Sequence, residues 1–317
     1  MGVLLLGPGS DPQLTAVENE LEQRSVETTV WDADEWPDDG SLTVRQDGAT
    51  TRLAVGDTAV DPSSIHTVYL RNFALNPRLP DYRDRLEERP FALINQLREY
   101  QAVVESMLAH LADRGVRLVN PLDTLDIHRQ KPWQLSVLGG AGIPIPNTLT
   151  TTDPDAVRAF ADRVDEVVYK PVGGGGYASL LTDDDLTDDR LELLSNSPVQ
   201  FQERIEGEDI RLFVVGGEVV AAARIVSDEL DYRTEDHDVE RIDPASLETD
   251  LERAAVETAA ALDLSFAGVD IVAGADRFCV LEANPSPMFA AFDDLAGTDV
   301  AGALAEFLAT PDTGDRA

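Results

Sequence analysis

Apolar residues along this chain recur with two periods, near two and near 3.6, and the switches between them lay out the elements. An unbroken apolar run at 3–6 is followed by Gly7-Pro8-Gly9 and then Asp11-Pro12, an N-cap and first-turn pair. That pattern predicts a buried strand, a helix reaching about Arg24, and a second strand at 26–31. Residues 42–55 alternate around Asp47-Gly48, a hairpin signal, and 65–70 reads as a strand ending at Arg71. Pro90 opens a long amphipathic stretch in which Phe91, Ile94, Leu97, Val104, Leu108 and Leu111 recur at helical spacing, and Gly115 stops it. A strand at 116–119 completes what reads as one α/β domain over residues 1–120. The βαβ opening resembles a dinucleotide site, but Pro12 stands where the third glycine of G-x-G-x-x-G belongs, so we read it as a turn.

From Ile127 the pattern changes. A helical stretch at 133–138 is broken by Gly139-Gly140 and by Pro144 and Pro146, and Asp153-Pro154 caps a helix running to about 163. A strand at 167–171 enters four glycines, Gly173, Gly174, Gly175 and Gly176. A β-rich block begins at Val199 and carries a helix at 247–262, strands at 269–272 and 278–283, and a terminal helix at 300–308. The expected division is therefore 1–120, 121–198 and 199–317.

Composition narrows the setting. The 317 residues carry 60 acidic and 25 basic side chains, a net charge of -35, yet 43% are hydrophobic, enough for a packed core. An acidic chain of this kind that still folds points to a very salty interior, where screening removes the self-repulsion. No basic stripe exists to displace counterions from phosphates, which excludes nucleic acid as the expected partner. No segment approaches 18 continuous apolar residues, so no membrane span is expected. The first residues lack the basic flank of a signal peptide, and the lone Cys279 fits a reducing cytoplasm better than a disulfide framework.

Two lysines, Lys131 and Lys170, stand against 23 arginines. Lys170 closes an apolar run just before the glycines, and Lys131 precedes a helix. Counting back from a three-residue hairpin loop at 275–277 sets Asp270 opposite Glu282, with Asn284 on the same face. Two carboxylates and an amide facing one another form an all-oxygen set suited to Mg²⁺, with phosphate and water completing the shell. The alternative is a solvated acidic face, although both carboxylates are embedded in apolar runs. A second hairpin turns at Gly216-Gly217. Counted straight from that turn, Arg211 and Arg224 share a face, where their planar forks suit phosphate or carboxylate unless Glu203, Glu208 or Asp209 neutralises them. The glycine loop lets backbone N–H groups converge on an anion; it is no Walker A loop, because its lysine comes first. The segment from Val199 to Gly207 could offer backbone groups to a base and Glu206 to a ribose.

Taken in order, several short pieces resemble the ATP-grasp superfamily, its RimK-like glutamate ligases and microviridin-type peptide macrocyclases above all. They are Gln130-Lys131, Gly142-Ile143-Pro144-Ile145-Pro146-Asn147-Thr148, Tyr169-Lys170-Pro171, Gln202-Glu203 through Asp209-Ile210-Arg211, Ala223-Arg224, Gly268-Val269-Asp270, and Leu281-Glu282-Ala283-Asn284-Pro285. They span about 120–290, and the N-terminal half, through Arg71 and Val119-Asn120-Pro121, is similar to the macrocyclase type. The resemblance implies an α/β fold, α+β in its C-terminal part: a Rossmann-like pre-ATP-grasp domain, then a two-subdomain ATP-grasp fold. It implies an ATP-dependent carboxylate–amine ligase acting on an amino acid, peptide or small carboxylate. The alternative is a silent ATP-binding regulator.

On that resemblance Lys131 and Lys170 contact the α- and β-phosphates beneath the glycine loop. Gln202, Glu203, Arg204 and Ile205 form the adenine hinge, and Glu206 or Asp209 lies near the ribose. Asp270, Glu282 and Asn284 hold one or two Mg²⁺, with Mn²⁺ as a substitute, and Arg211 and Arg224 steady the γ-phosphate and acyl phosphate. RimK-like ligases carry an Arg-Thr-Asn-type segment where this chain reads Arg233-Thr234-Glu235, which sets it apart from a glutamate acceptor.

Overall fold

The computed structural model describes residues 1–35, 41–56, 58–71, 82–174, 176–227, 230 and 238–311. Gly175 and the 231–236 segment with Arg233 lie outside them. The chain forms two compact units, Met1–Leu122 with Ala301–Ala317, and Asp123–Val300.

In the first unit β1 (Gly2–Gly7) leads into α1 (Pro12–Gln23) and β2 (Thr28–Asp32). The Asp11 carboxylate accepts from Gln13 N at 2.8 Å and caps α1. A separate antiparallel sheet holds β3 (Leu42–Asp47), β4 (Thr50–Val55) and β5 (Thr58–Val60). Its first turn sits at Gly48-Ala49, one residue later than the sequence signal, because Asp47 pairs with Thr50. Then come β6 (Ile65–Leu70), α2 (Arg83–Glu88), α3 (Pro90–Asp113) and β7 (Arg117–Val119). The main sheet is parallel, in the order β2-β1-β6-β7. β1 and β6 are buried along their whole length, as a central parallel strand covered on both faces requires. On α3 the sequence reading errs in the first turn. Phe91 is 82% exposed, whereas Leu93 is buried with Tyr82 and Leu97.

The second unit contains two sheets. α4 (Lys131–Gly140) precedes β8 (Thr148–Thr151), α5 (Pro154–Ala161), β9 (Val167–Pro171), β10 (Ser179–Leu180), α6 (Asp188–Leu191) and β11 (Val199–Glu203). The strands align as β10-β9-β11-β8, all antiparallel. Val167 and Phe201 on one face of this sheet pack on Val157 and Phe160 of α5. Gln200, Gln202 and Lys170 therefore occupy the other face.

The larger sheet has the order β14-β13-β12-β15-β16. Its elements are β12 (Glu208–Val215), β13 (Glu218–Val226), β14 (Asp238–Ile242), α7 (Thr249–Ala261), β15 (Phe266–Ala273) and β16 (Phe278–Asn284), followed by α8 (Ala290–Ala296). Ile210, Leu212, Val214, Val269 and Ile271 face α7 through Leu251, Ala254 and Ala255. Alternation sends Arg211 and Asp270 to the opposite face. Gly207, between the two sheets, is held by close approach: a Cβ there would lie 2.4 Å from Ala273 O.

α9 (Val300–Ala309) belongs almost wholly to the first unit. The His66 ring Nε2 bonds Leu308 O at 3.1 Å, and the Arg117 guanidinium donates to Phe307 O at 2.7 Å.

Candidate active site

Asp270 and Glu282 sit directly opposite one another, with Asn284 opposite Gly268 on the same face. Two deviations from the simple count cancel. The turn between β15 and β16 has four residues, Gly274 to Arg277, and a bulge at Leu281 restores the phase.

Three cationic groups, Arg211, Lys131 and Lys170, act on this pair. Arg211 forms a fork on Asp270, its Nε donating to Oδ1 and its Nη2 to Oδ2, each at 2.6 Å. The guanidinium lies 5.7 Å from the centroid of Phe292, which packs edge-on against Phe213. Lys131 Nζ donates to Glu282 Oε2. α4 is fixed in place by Gln134, one turn beyond Lys131 on the same helix face. Its Nε2 donates to Ala283 O at 2.9 Å and its Oε1 accepts from Ala283 N at 2.8 Å. Burial pushes the Glu282 carboxyl up, but the charges of Lys131, Lys170 and Arg211 outweigh it and hold it below the ordinary glutamate range.

This donor set fits a hard divalent cation only in company. Among the described residues no group of three or more His, Cys, Asp or Glu side chains could hold a metal alone. Two carboxylates and the Asn284 amide, whose Oδ1 already accepts from Ser286 N at 2.9 Å, leave positions that phosphate oxygens and water must fill.

Arg224 does not join the site. A bulge at Val220 makes Arg211 pair with Ala223, not Ala222, so Arg224 pairs with Ile210. That one-residue slip turns Arg224 to the face opposite Arg211. There it is held by Glu208 at 3.0 Å and Glu240 at 2.9 Å. Neutralisation by acidic neighbours, the alternative reading of the pair, is what this arginine shows.

At the end of β11 and in the segment that follows, each expected hinge residue has a partner or a defined burial; the Gln202 amide donates to Thr148 Oγ1 at 3.0 Å. Glu203 and Arg204 tie the segment down. Glu203 accepts from Asn147 Nδ2 at 2.7 Å and from Arg277, and Arg204 pairs with Glu166 at 2.9 Å. Their backbone N–H groups are engaged by Asn147 O and Glu166 O. Ile205 and Asp209 are half-buried and Glu206 is exposed. In the glycine loop Gly174 takes φ 81°, a conformation a side chain would strain.

Gln134 and Gln200 escaped the sequence reading. The signal for Gln134 was its spacing from Lys131, and for Gln200 its alternation with Gln202.

Two antiparallel sheets, one bearing a lysine ahead of a glycine loop and the other bearing two facing carboxylates reached by the lysine of α4, define an ATP-grasp enzyme. The chain matches the RimK-like ATP-grasp domain over residues 128–308, more than half its length, and belongs to that family. A probable alpha-L-glutamate ligase of Xanthomonas oryzae is 32% identical over 213 residues, covering 64% of this chain and 72% of the relative. The structure of the ATP-grasp ligase PsnB, complexed with a phosphomimetic variant of its minimal precursor, Mg and ADP, superposes with a TM-score of 0.86. It is 31% identical and covers 96% of this chain and 97% of its own. The macrocyclase MdnC of Microcystis aeruginosa, bound with its precursor peptide MdnA, superposes with a TM-score of 0.81 at 25% identity, covering 98% and 100%. The chain is an ATP-dependent carboxylate–amine ligase. Among the described residues no helix is long and apolar enough to cross a membrane.

Proposed function

We propose that this ligase acts on a peptide, activating one of its carboxylates and joining it to an amine. The identity kept over nearly the whole chain carries the reading. Similarity to the precursor-bound PsnB runs over 96% of this chain at 31% identity, N-terminal unit included, whereas a glutamate ligase of comparable reach, from Methanocaldococcus jannaschii, covers 84% at 26%. Glu235, in place of the asparagine of RimK-like ligases, supports the same choice.

In this reading Lys131 and Lys170 bind the α- and β-phosphates under Gly173, Gly174, Gly175 and Gly176. Gln202 to Ile205 seat the base, and Glu206 or Asp209 takes the ribose. Asp270, Glu282 and Asn284 would hold one or two Mg²⁺ or Mn²⁺ ions, which supply neutralisation of triphosphate charge. Arg211 leaves Asp270 to steady the γ-phosphate and then the acyl phosphate. The substrate carboxylate attacks the γ-phosphorus and ADP departs. The amine attacks the acyl carbon, phosphate leaves, and the amine proton passes to solvent. No protein nucleophile is needed, because positioning and charge neutralisation lower the barrier. The net charge of -35 and the single cysteine support a reducing, salt-rich cytoplasm as the setting.

The test is phosphate release from MgATP in molar KCl against a panel of acidic peptides and free amino acids, with the peptides weighed by mass spectrometry. A peptide that accelerates release and loses one water on cyclisation, or gains an amine partner, supports the proposal. Acceleration by free glutamate with every peptide inert overturns it.

A further inference from the structure

Gln200 is fully buried, at 0% exposure, and neither its Oε1 nor its Nε2 has a hydrogen-bond partner among the described residues. It lies in β11, between Thr150 of β8 and Lys170 of β9. Its face of the sheet is the one turned away from the Val157 and Phe160 core and shared with Lys170 and Gln202. Gln202, two residues on, differs in having Thr148 as its partner. Leaving a buried amide wholly unsatisfied is among the more expensive things a fold can do, and such a group in a binding face marks a place where a ligand completes the bonding.

The chemistry of that ligand follows from the amide itself. A carboxamide presents one acceptor beside one donor. A phosphate oxygen could accept from Nε2 but would leave Oε1 stranded. A purine carrying an amine next to a ring nitrogen satisfies both atoms at once, as glutamine does when it reads adenine. Guanine presents two acceptors along the same edge and again strands Oε1.

We infer that Gln200 is a base-reading residue, its Nε2 donating to N7 of adenine and its Oε1 accepting from the N6 amine. The inference rests on the nucleotide-site reading above and adds to it the group that selects the base. Gln200→Met keeps the length of the side chain, removes both polar atoms, and relieves the free protein of an unsatisfied amide.

The experiment is calorimetric binding of MgATP, Mg-7-deaza-ATP and MgGTP to wild type and Gln200→Met in molar KCl, with melting curves of the unliganded proteins. Wild type is expected to bind 7-deaza-ATP roughly tenfold more weakly than ATP, since it lacks N7. In Gln200→Met the two should bind within about twofold of each other, with ATP weakened and the gap to GTP narrowed. The melting temperature of the variant should equal or exceed that of wild type. An ATP to 7-deaza-ATP ratio near one in wild type, or the same ratio in both proteins, overturns the inference while leaving the nucleotide site standing. Absence of ATP binding to wild type overturns both.

Discussion

The slip that separates Arg224 from Arg211 makes a sharp prediction, because the same substitution should be severe at one arginine and nearly silent at the other. In Arg211→Met a fork of two 2.6 Å bonds is removed from Asp270. The two side chains are only 12% and 19% exposed. Removing one partner of a buried pair costs about 3–5 kcal/mol, since the other charge is left uncompensated. For a unit of this size that lowers the melting temperature by roughly 6–20 °C. Losing the donor that steadies transferring phosphate should reduce phosphate release about 100- to 1,000-fold. Arg224 is 37% exposed, and Glu208 and Glu240 are more than half exposed. Solvent and salt screen such contacts to about 0–1 kcal/mol. Arg224→Met should therefore melt within about 3 °C of wild type and turn over at a near-wild-type rate. Both variants are compared by calorimetry and by phosphate release at 25 °C in molar KCl. If Arg224→Met loses turnover as steeply as Arg211→Met, both arginines work on one face and the assignment of the bulge to function is wrong.

Three further outcomes follow from the structure. Glu282→Gln should abolish ATP-dependent phosphate release while circular dichroism at 25 °C still shows the folded protein, with a lowered melting temperature because the part-buried Lys131 loses its partner; substantial turnover would remove Glu282 from the reaction. Burial raises the Asp11 carboxyl but Arg71, at 2.8 Å, outweighs it and holds its pKa below 3.8. Its stabilising contribution is fully present above that value and is lost as pH falls below it through the lower folded-state pKa. Asp11→Asn should accordingly melt below wild type at pH 7, the gap closing as pH drops below about 4, and a gap independent of pH would contradict the pairing. With a net charge of -35, the melting temperature should climb as KCl rises from about 0.1 to 3 M, where the screening length shrinks to a few ångströms; a flat profile would refute the high-salt reading.

What the sequence revealed of this fold and site divides along a physical line. The strands and helices were legible because each is specified within its own window: the continuous apolar run of β1, Asp11-Pro12 before α1, the stop at Gly115. The face a side chain takes in a sheet was legible only as far as the count from the turn ran true. Around Asp270 and Glu282 a longer turn and the Leu281 bulge compensate, so a count that assumed neither reached the correct pair. In β13 nothing compensates. Val219 to Ala223 is a featureless run of small apolar residues, and no local signal marks Val220 as the extra one. The same period-two rule therefore placed one arginine correctly and turned the other to the wrong face. Partners far apart in sequence were beyond any such count, as with Gln134 and Ala283, which lie 149 residues apart. Alternation could place Gln200 on the face of Lys170, but what covers that face is set by tertiary packing. A site assembled from sheet faces thus inherits every bulge upstream of it. A polar residue assigned to such a site by counting alone stands on one unverified phase, whereas Lys131 and Gln134, spaced on a helix, carry their common face within a single turn.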